Sequence, residues 1–448
     1  MKMVIANGRV IDPESGFDGL ADLMTEDGKI TGIWRRDSQD RRDTDGGAGW
    51  HPADGTYPGV CGGEPARVID AAGLIVAPGL VDVHVHFRDP GLTWKEDILT
   101  GAAAAKAGGY TTVVCMANTK PAADTPEVIR YITEKGRETG IHVLAAAAVT
   151  KGLKGRELTD MQALAESGAA GFTDDGIPLM NEALVKKAME EAARLKLPLS
   201  FHEEDPAFII NNGINQGAVS ERMGLGGSPA LAEDALVARD CMIALHTGAR
   251  VNIQHISSAN SVKMVGLAKE LGADVWAEVT PHHFSLDETA VLEYKTLAKM
   301  NPPLRTAADR SALIEGLKDG TIDVIATDHA PHSREEKEKP FAEAPSGIIG
   351  LETALPLAVT NLVKAGHVSY LTLFEKMCLN PARLYHLECG RIREGAAADL
   401  VIFDDTHPFT VQEFASKSCN SPFIGTQLLG RVKYTVCEGE IVYQDGRF

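Results

Sequence analysis

The chain has 448 residues, 44% of them hydrophobic and 24% charged, with a formal net charge of -18. This is the composition of an ordinary globular protein, long enough for one large domain and a smaller one. The acidic balance argues against non-specific nucleic-acid binding. No apolar run approaches the roughly 18 residues of a membrane span. Seven scattered cysteines without a C-x-x-C pair argue against a disulfide framework or a thiolate zinc site, and for a reducing cytoplasm.

Taken in chain order, the first residues pass from a strand-like stretch into the Asn7-Gly8 turn, with no signal-peptide core. Residues 1–74 read as short strands separated by Gly, Asp and Pro. Residues 35–65 are first highly charged and then glycine-rich, which predicts a mobile surface insertion in which Trp50, His51 and Cys61 are incidental. From 74 onward, strands alternate with helices. The strand candidates are 74–87, 111–117, 142–149, 170–173, 198–202, 250–256, 274–279 and 323–327. The helix candidates are 95–107, 125–139, 158–167, 181–195, 231–247, 261–271, 310–319 and 351–365. Eight such pairs predict an α/β protein with a (β/α)8 TIM-like barrel over 75–389. An open doubly wound sheet is the alternative, but no G-x-G-x-x-G follows the first strand. Short strands return after 399, so 1–74 plus 390–448 are expected to form a small β-sandwich-like domain from both termini.

Polar residues gather where the barrel strands end, which is where a parallel barrel places its active site. His84 and His86 are two apart at the end of an apolar strand, so their imidazoles share a face. Arg88 follows them. Asn118 ends the second strand, Asp174-Asp175 the fourth, His202 the fifth and His255 the sixth. His282-His283 follow the seventh, and Asp328-His329-Ala330-Pro331-His332 ends the eighth. Four His and two Asp on one rim form a nitrogen and oxygen donor set suited to one or two divalent metals. The plainer alternatives are rim hydrogen bonds for the histidines and an ion pair with Asp89 for Arg88.

The segments His84-Val85-His86-Phe87-Arg88-Asp89-Pro90-Gly91, Met116-Ala117-Asn118-Thr119, Phe172-Thr173-Asp174-Asp175-Gly176, Asn301-Pro302-Pro303-Leu304-Arg305 and Thr327-Asp328-His329-Ala330-Pro331-His332 resemble the dihydroorotase family. This is a branch of the amidohydrolase superfamily, and the likeness is to its bacterial type I form. The likeness runs from about residue 4 to 445, leaving out 35–65. H-x-H alone marks the superfamily; the following Arg88 and the Asn301 segment mark the branch. One departure is Ala117, where relatives usually carry proline.

The resemblance implies a Zn2+ enzyme with one or two ions per chain. It interconverts N-carbamoyl-L-aspartate and (S)-dihydroorotate in pyrimidine biosynthesis. His84 and His86 would hold the more buried ion and His202 and His255 a second. Asp175 would bridge them, with Asp174 its adjacent competitor. Asp328 would ligate the first ion and move protons. Arg88, Asn118, Asn301 and His332 would hold the substrate; independently of the resemblance, the segment 345–350 leads into the last barrel helix and its backbone amides are a candidate contact to the substrate ring. Many relatives bridge their metals with a carboxylated lysine; none stands at the strand-four end, and Lys151 is the remote fallback. The competing functions are a dihydropyrimidinase, hydantoinase or allantoinase, and a non-catalytic scaffold partnering aspartate carbamoyltransferase. Association of an active chain with that carbamoyltransferase is a further expectation, as is a homodimer, the commonest symmetric default.

Overall fold

Both ends of the chain meet in one mixed sheet. In the computed structural model, residues 2–36 and 67–446 are described, so the expected insertion at 35–65 lies almost wholly outside the described residues. The N-terminal strands are β1 (Lys2–Asp12), β2 (Phe17–Glu26), β3 (Lys29–Arg35), β4 (Arg67–Asp70) and β5 (Ile75–Pro78). The eight barrel strands come next: β6 (Leu80–Val85), β7 (Tyr110–Cys115), β8 (His142–Ala147), β9 (Gly171–Thr173), β10 (Leu199–Phe201), β11 (Val251–Ile253), β12 (Val275–Val279) and β13 (Val324–Ile325). After the barrel come β14 (Leu400–Asp404), the small pair β15 (Phe409–Thr410) and β16 (Gln427–Leu428), β17 (Arg431–Cys437) and β18 (Glu440–Gln444). The terminal sheet runs β18-β17-β14-β5-β1-β2-β3, with β4 beside the first half of β1. The seam between the two ends is antiparallel, with Val401 opposite Ala77 and Ile402 opposite Val76.

The sheet's central strands β5 and β14 are buried on both faces, which explains their unbroken apolar runs. Val76, Leu400, Ile402 and Val436 lie in the sheet's own core with Met3, Ile5 and Leu23. Their neighbours Ile75, Ala77, Val401, Phe403 and Cys437 join the cluster that packs the barrel's helices. Successive side chains thus serve opposite sides, as the period of two requires.

The run 74–87, expected as one strand, is two. β5 belongs to the terminal sheet and β6 opens the barrel, with Gly79 at the crossing. A Cβ at Gly79 would meet Thr111 Oγ1 at 2.3 Å, and its amide donates to Asp399 O at 2.8 Å. Only glycine admits so close an approach. Sequence periodicity could not show the break, because both halves are fully buried and equally apolar.

The barrel strands pair in parallel, each beside the next in order. First and last close through a Val85–His329 bridge and the His86 amide on His329 O at 2.9 Å. Asp82, fully buried, accepts from the Thr327 amide across the same seam. Val81 and Val83 share the lower interior with Val114, Met116, Ala326 and Tyr385, whereas Val85 and Phe87 face the helices. The alternation of β6 therefore changes phase at its register shift between Asp82 and Val85. Helix starts follow their side-chain caps: Asp97 accepts from Leu99 N and Thr100 N ahead of Ile98–Ala107, and Asn181 accepts from Leu184 N ahead of Glu182–Leu195.

Candidate metal centre

The phase change in β6 delivers His84 and His86 to the rim, ring centroids 5.3 Å apart. The other donors arrive from one or two residues past β9, β10, β11 and beyond β13. His84 Nε2 lies 3.3 Å from Asp175 Oδ1 and 3.6 Å from Asp328 Oδ1. His86 Nε2 lies 3.0 Å from Asp328 Oδ1 and 3.4 Å from Asp175 Oδ2. His255 Nε2 is 3.8 Å from Asp175 Oδ1, and His202 Nδ1 is 2.9 Å from His255 Nε2. All six residues are buried. Two triads, His84–Asp175–His255 and His84–His86–Asp328, each hold their donor atoms within 4.8 Å of one another. His202 joins through His255.

The outer nitrogens of three of the four rings are tied to oxygens. In the matching tautomers, His84 Nδ1–H donates to Glu278 Oε1 at 2.5 Å and His86 Nδ1–H to Asn118 Oδ1 at 2.8 Å. His202 Nε2 faces Glu204 Oε2 at 3.3 Å. Metal-binding imidazoles are oriented in this way, with the second nitrogen held and the first left for the ion. His84 Nε2 has no hydrogen-bond partner and is wholly buried. Ligand bonds of about 2.0–2.2 Å place neighbouring donors about 3–3.5 Å apart, close to the spacings here. The residues fit a divalent cation.

Electrostatics agree with the geometry. Burial alone would depress the His84 imidazole, but Glu278 and Asp175 outweigh it and hold its pKa well above the usual value. Burial would raise Asp175, yet His84, His86 and His202 keep it well below the carboxylate range. Burial, with His202 and His84 beside it, drives His255 well down and keeps it neutral.

The adjacent carboxylates Asp174 and Asp175 do different work. Asp174 turns away and accepts from Val149 N at 2.8 Å, Thr150 N at 3.0 Å and Thr150 Oγ1; burial raises it to about 6. Asp175 alone faces the histidines. Lys151 lies at the surface against Glu157, away from the donor cluster. The ion pair considered for Arg88 and Asp89 does not form: Asp89 takes Lys135 at 2.5 Å and Tyr131 OH at 2.9 Å. Arg88 Nε donates to Pro331 O at 3.4 Å. Three rim residues hold positive φ, namely Arg88 (60°), His255 (32°) and Asp328 (48°). Strain of this kind persists where surrounding structure enforces it, and it gathers at functional sites.

The expected substrate residues are placed less uniformly. Asn118 spends one contact on His86 and donates to Asp175 Oδ2 at 3.3 Å, so it steadies two donors. His332 Nε2 donates to Ser346 O at 2.8 Å while Nδ1 accepts from Lys95 Nζ at 3.2 Å. Burial and the charge of Arg88 keep that ring neutral. Asn301 presents a buried Oδ1 with no hydrogen-bond partner. Of the amides at 345–350, Gly347 N is already donated to Lys299 O and Gly350 N to His329 Nδ1. The charged run after His332 forms the short helix Arg334–Lys337 capped by Ser333. Lys337 is buried and donates to Pro345 O and Gly347 O at 2.9 and 3.0 Å.

Sequence reasoning missed Glu278 and Glu204. Glu278 also accepts from His255 N at 3.1 Å and Asn252 Nδ2 at 2.9 Å, so one carboxylate sets both triads. A charged residue inside the apolar strand Val275–Val279 was the available signal.

A Dihydro-orotase-like family model matches residues 73–261 and an Amidohydrolase family model residues 350–443. The dihydroorotase of Clostridioides difficile (strain 630) is 55% identical over 441 residues, 98% of this chain and 99% of its own. That of Clostridium acetobutylicum is 50% identical over 445 residues, 99% of this chain and 100% of its own. Among solved structures, the L-hydantoinase (dihydropyrimidinase) from Arthrobacter aurescens superposes with a TM-score of 0.83 at 25% identity, covering 99% of this chain and 96% of that one. The D-hydantoinase (dihydropyrimidinase) from Thermus sp. gives 0.81 at 24%, covering 100% and 96%. These structural matches carry the barrel fold; the sequence relatives carry the family.

Proposed function

Because the chain belongs to the dihydroorotase family, metal-dependent cyclic amide hydrolases of pyrimidine biosynthesis, we propose the following division of labour for its interconversion of N-carbamoyl-L-aspartate and (S)-dihydroorotate. His84, His86, Asp175, His202, His255 and Asp328 hold the metal, which we assign as zinc, one or two ions per chain. A divalent ion there lowers the pKa of a water toward about 7 and draws charge from a carbonyl oxygen. The chain's residues do the rest. Asp328 takes the proton of the water as its oxygen bonds to the ring amide carbon. It then gives that proton to the ring nitrogen as the carbon–nitrogen bond breaks. In the reverse direction Asp328 takes the carbamoyl nitrogen's proton as that nitrogen closes on the carbon of the protonated side-chain carboxyl group, then returns it to the departing hydroxyl, which leaves as water as the carbon–oxygen bond breaks. Glu278 and Glu204 keep the imidazoles in register without touching substrate.

Arg88 receives the α-carboxylate, for which its planar fork is suited. Asn301 turns its unpaired amide to the substrate, Asn118 offers its remaining N–H, and His332 shapes the wall as a neutral ring. The observation that carries this reading is the convergence of four imidazoles and two carboxylates, with the outer nitrogens of three of the four rings already held by oxygens. We further propose that the terminal sheet, which takes in β5 beyond the expected boundary at 74, acts with 390–448 as a unit beside the barrel, and that the protein is a cytoplasmic homodimer able to associate with aspartate carbamoyltransferase. No described helix is long and apolar enough to cross a membrane.

A substrate panel tests the function. Dihydroorotate should be opened at least about 10²-fold more efficiently than dihydrouracil, hydantoin or allantoin, because those lack the carboxylate for Arg88. Equal turnover of dihydrouracil would refute the assignment.

A further inference from the structure

A second donor cluster lies at the opposite end of the barrel, independent of the rim. His142 begins β8, Asp399 immediately precedes β14, and Cys437 ends β17. One ring nitrogen, one carboxylate oxygen and one sulfur lie within 4.8 Å of one another. Asp399 is 4% exposed, and its Oδ1 accepts from Glu438 N at 2.7 Å. Its Oδ2 has no hydrogen-bond partner. His142 Nε2 stands at ion-pair distance from that oxygen, 3.4 Å, close to the edge of about 3.3 Å expected between two ligands on one tetrahedral ion. A buried carboxylate oxygen whose neighbours are a long His142 contact and the Cys437 thiol is poorly satisfied, and such a group is costly. Cys437 is buried; its Sγ lies 3.9 Å from Thr111 O and beside the Asp399 carboxylate, and burial together with that carboxylate pushes its thiol pKa well up.

We propose that His142, Asp399 and Cys437 bind one thiophilic divalent ion of the zinc class, which pins the C-terminal strands of the terminal sheet to the bottom of the barrel. The donor set selects the ion: thiolate with imidazole disfavours magnesium and calcium, whereas sulfur, nitrogen and oxygen together suit zinc. The fourth position falls to water, because the His142 side chain is 37% exposed and opens the site to solvent. Binding replaces the thiol proton, which leaves to solvent. The buried Asp399 carboxylate and nearby Glu438 draw a cation to this point. The absence of any close cysteine pair hides the site from a sequence reading, since its donors come from three remote segments. At the bottom face of a barrel such a site acts on stability rather than on the reaction.

Cobalt(II) separates this site from the rim. The rim offers only nitrogen and oxygen donors, so a thiolate-to-cobalt charge-transfer band in the near ultraviolet comes from a cysteine site, and its loss in Cys437→Ser assigns it to Cys437 rather than to another thiol such as the exposed Cys419. Metal-stripped full-length protein titrated with Co2+ should develop that band, saturating at one equivalent per chain. Asp328→Asn should keep it and Cys437→Ser should lose it. His142→Gln, at a half-exposed position, should weaken Co2+ binding at this band about tenfold or more, with circular dichroism and dihydroorotate turnover unchanged. No band in the parent protein at saturating Co2+, or a band undiminished in both Cys437→Ser and His142→Gln, overturns the proposal.

Discussion

In the terminal sheet, Ile75, Val76 and Ala77 alternate between two apolar cores and β14 continues the pattern across the seam. At the barrel rim, Arg88, His255 and Asp328 adopt left-handed backbone, a buried imidazole nitrogen goes without a partner, and carboxylates crowd within 4 Å of histidines. In the sheet each local preference agrees with the fold; at the rim several are violated together. Such conflict is sustained only where the surrounding structure enforces it, and its concentration at one rim marks where the chain departs from stability for chemistry. The two regions should therefore respond to substitution in separable ways.

The largest expected effect is at the rim. Asp328→Asn should cut dihydroorotate turnover by about 10²–10⁴-fold while thermal unfolding stays near the parent and substrate still binds, read by steady-state kinetics beside calorimetry. A parent-like rate would remove Asp328 as the proton carrier. The sheet should give the mirror image. Leu400→Ala, at a fully buried position, should cost about 2–5 kcal/mol of stability and leave kcat of the folded fraction unchanged, measured by denaturant titration and kinetics. A kcat loss without a stability loss would blur the contrast.

Glu278→Gln sharpens the comparison within the rim. It keeps the volume and removes the charge that faces His84 and the His255 amide. Metal affinity should fall about 10–100-fold, and excess metal should restore turnover. If excess metal leaves the rate low, Glu278 acts on more than the ions. Smallest of all, Lys151→Ala should change kcat/KM by less than about twofold and stability by under about 0.5 kcal/mol, because its partner is the surface residue Glu157. A large loss would reopen the lysine-bridged alternative.

The legibility of the chain follows the same division. Strand–helix alternation and the strand-end polar residues were readable because period and position carry them. The choice between Asp174 and Asp175 was not, since two identical neighbours differ only in that Val149, Thr150 and the Thr150 hydroxyl capture the first. The split of 74–87 at Gly79 and the phase change in β6 were hidden because burial on all sides erases periodicity. Glu278 went unread because its role depends on His84 and Asn252, which reach it only across the closed barrel.

The central claim is that four imidazoles and two carboxylates, gathered from remote parts of the chain, hold the ion on which ring opening depends. It is tested most directly by measuring rim-bound metal and dihydroorotate turnover together, in His142→Gln protein so that the lower site contributes little. Chelation should bring turnover to background, and stepwise return of zinc should restore it in proportion to the ions bound. Metal-free protein that still opens dihydroorotate at the parent rate would contradict the account.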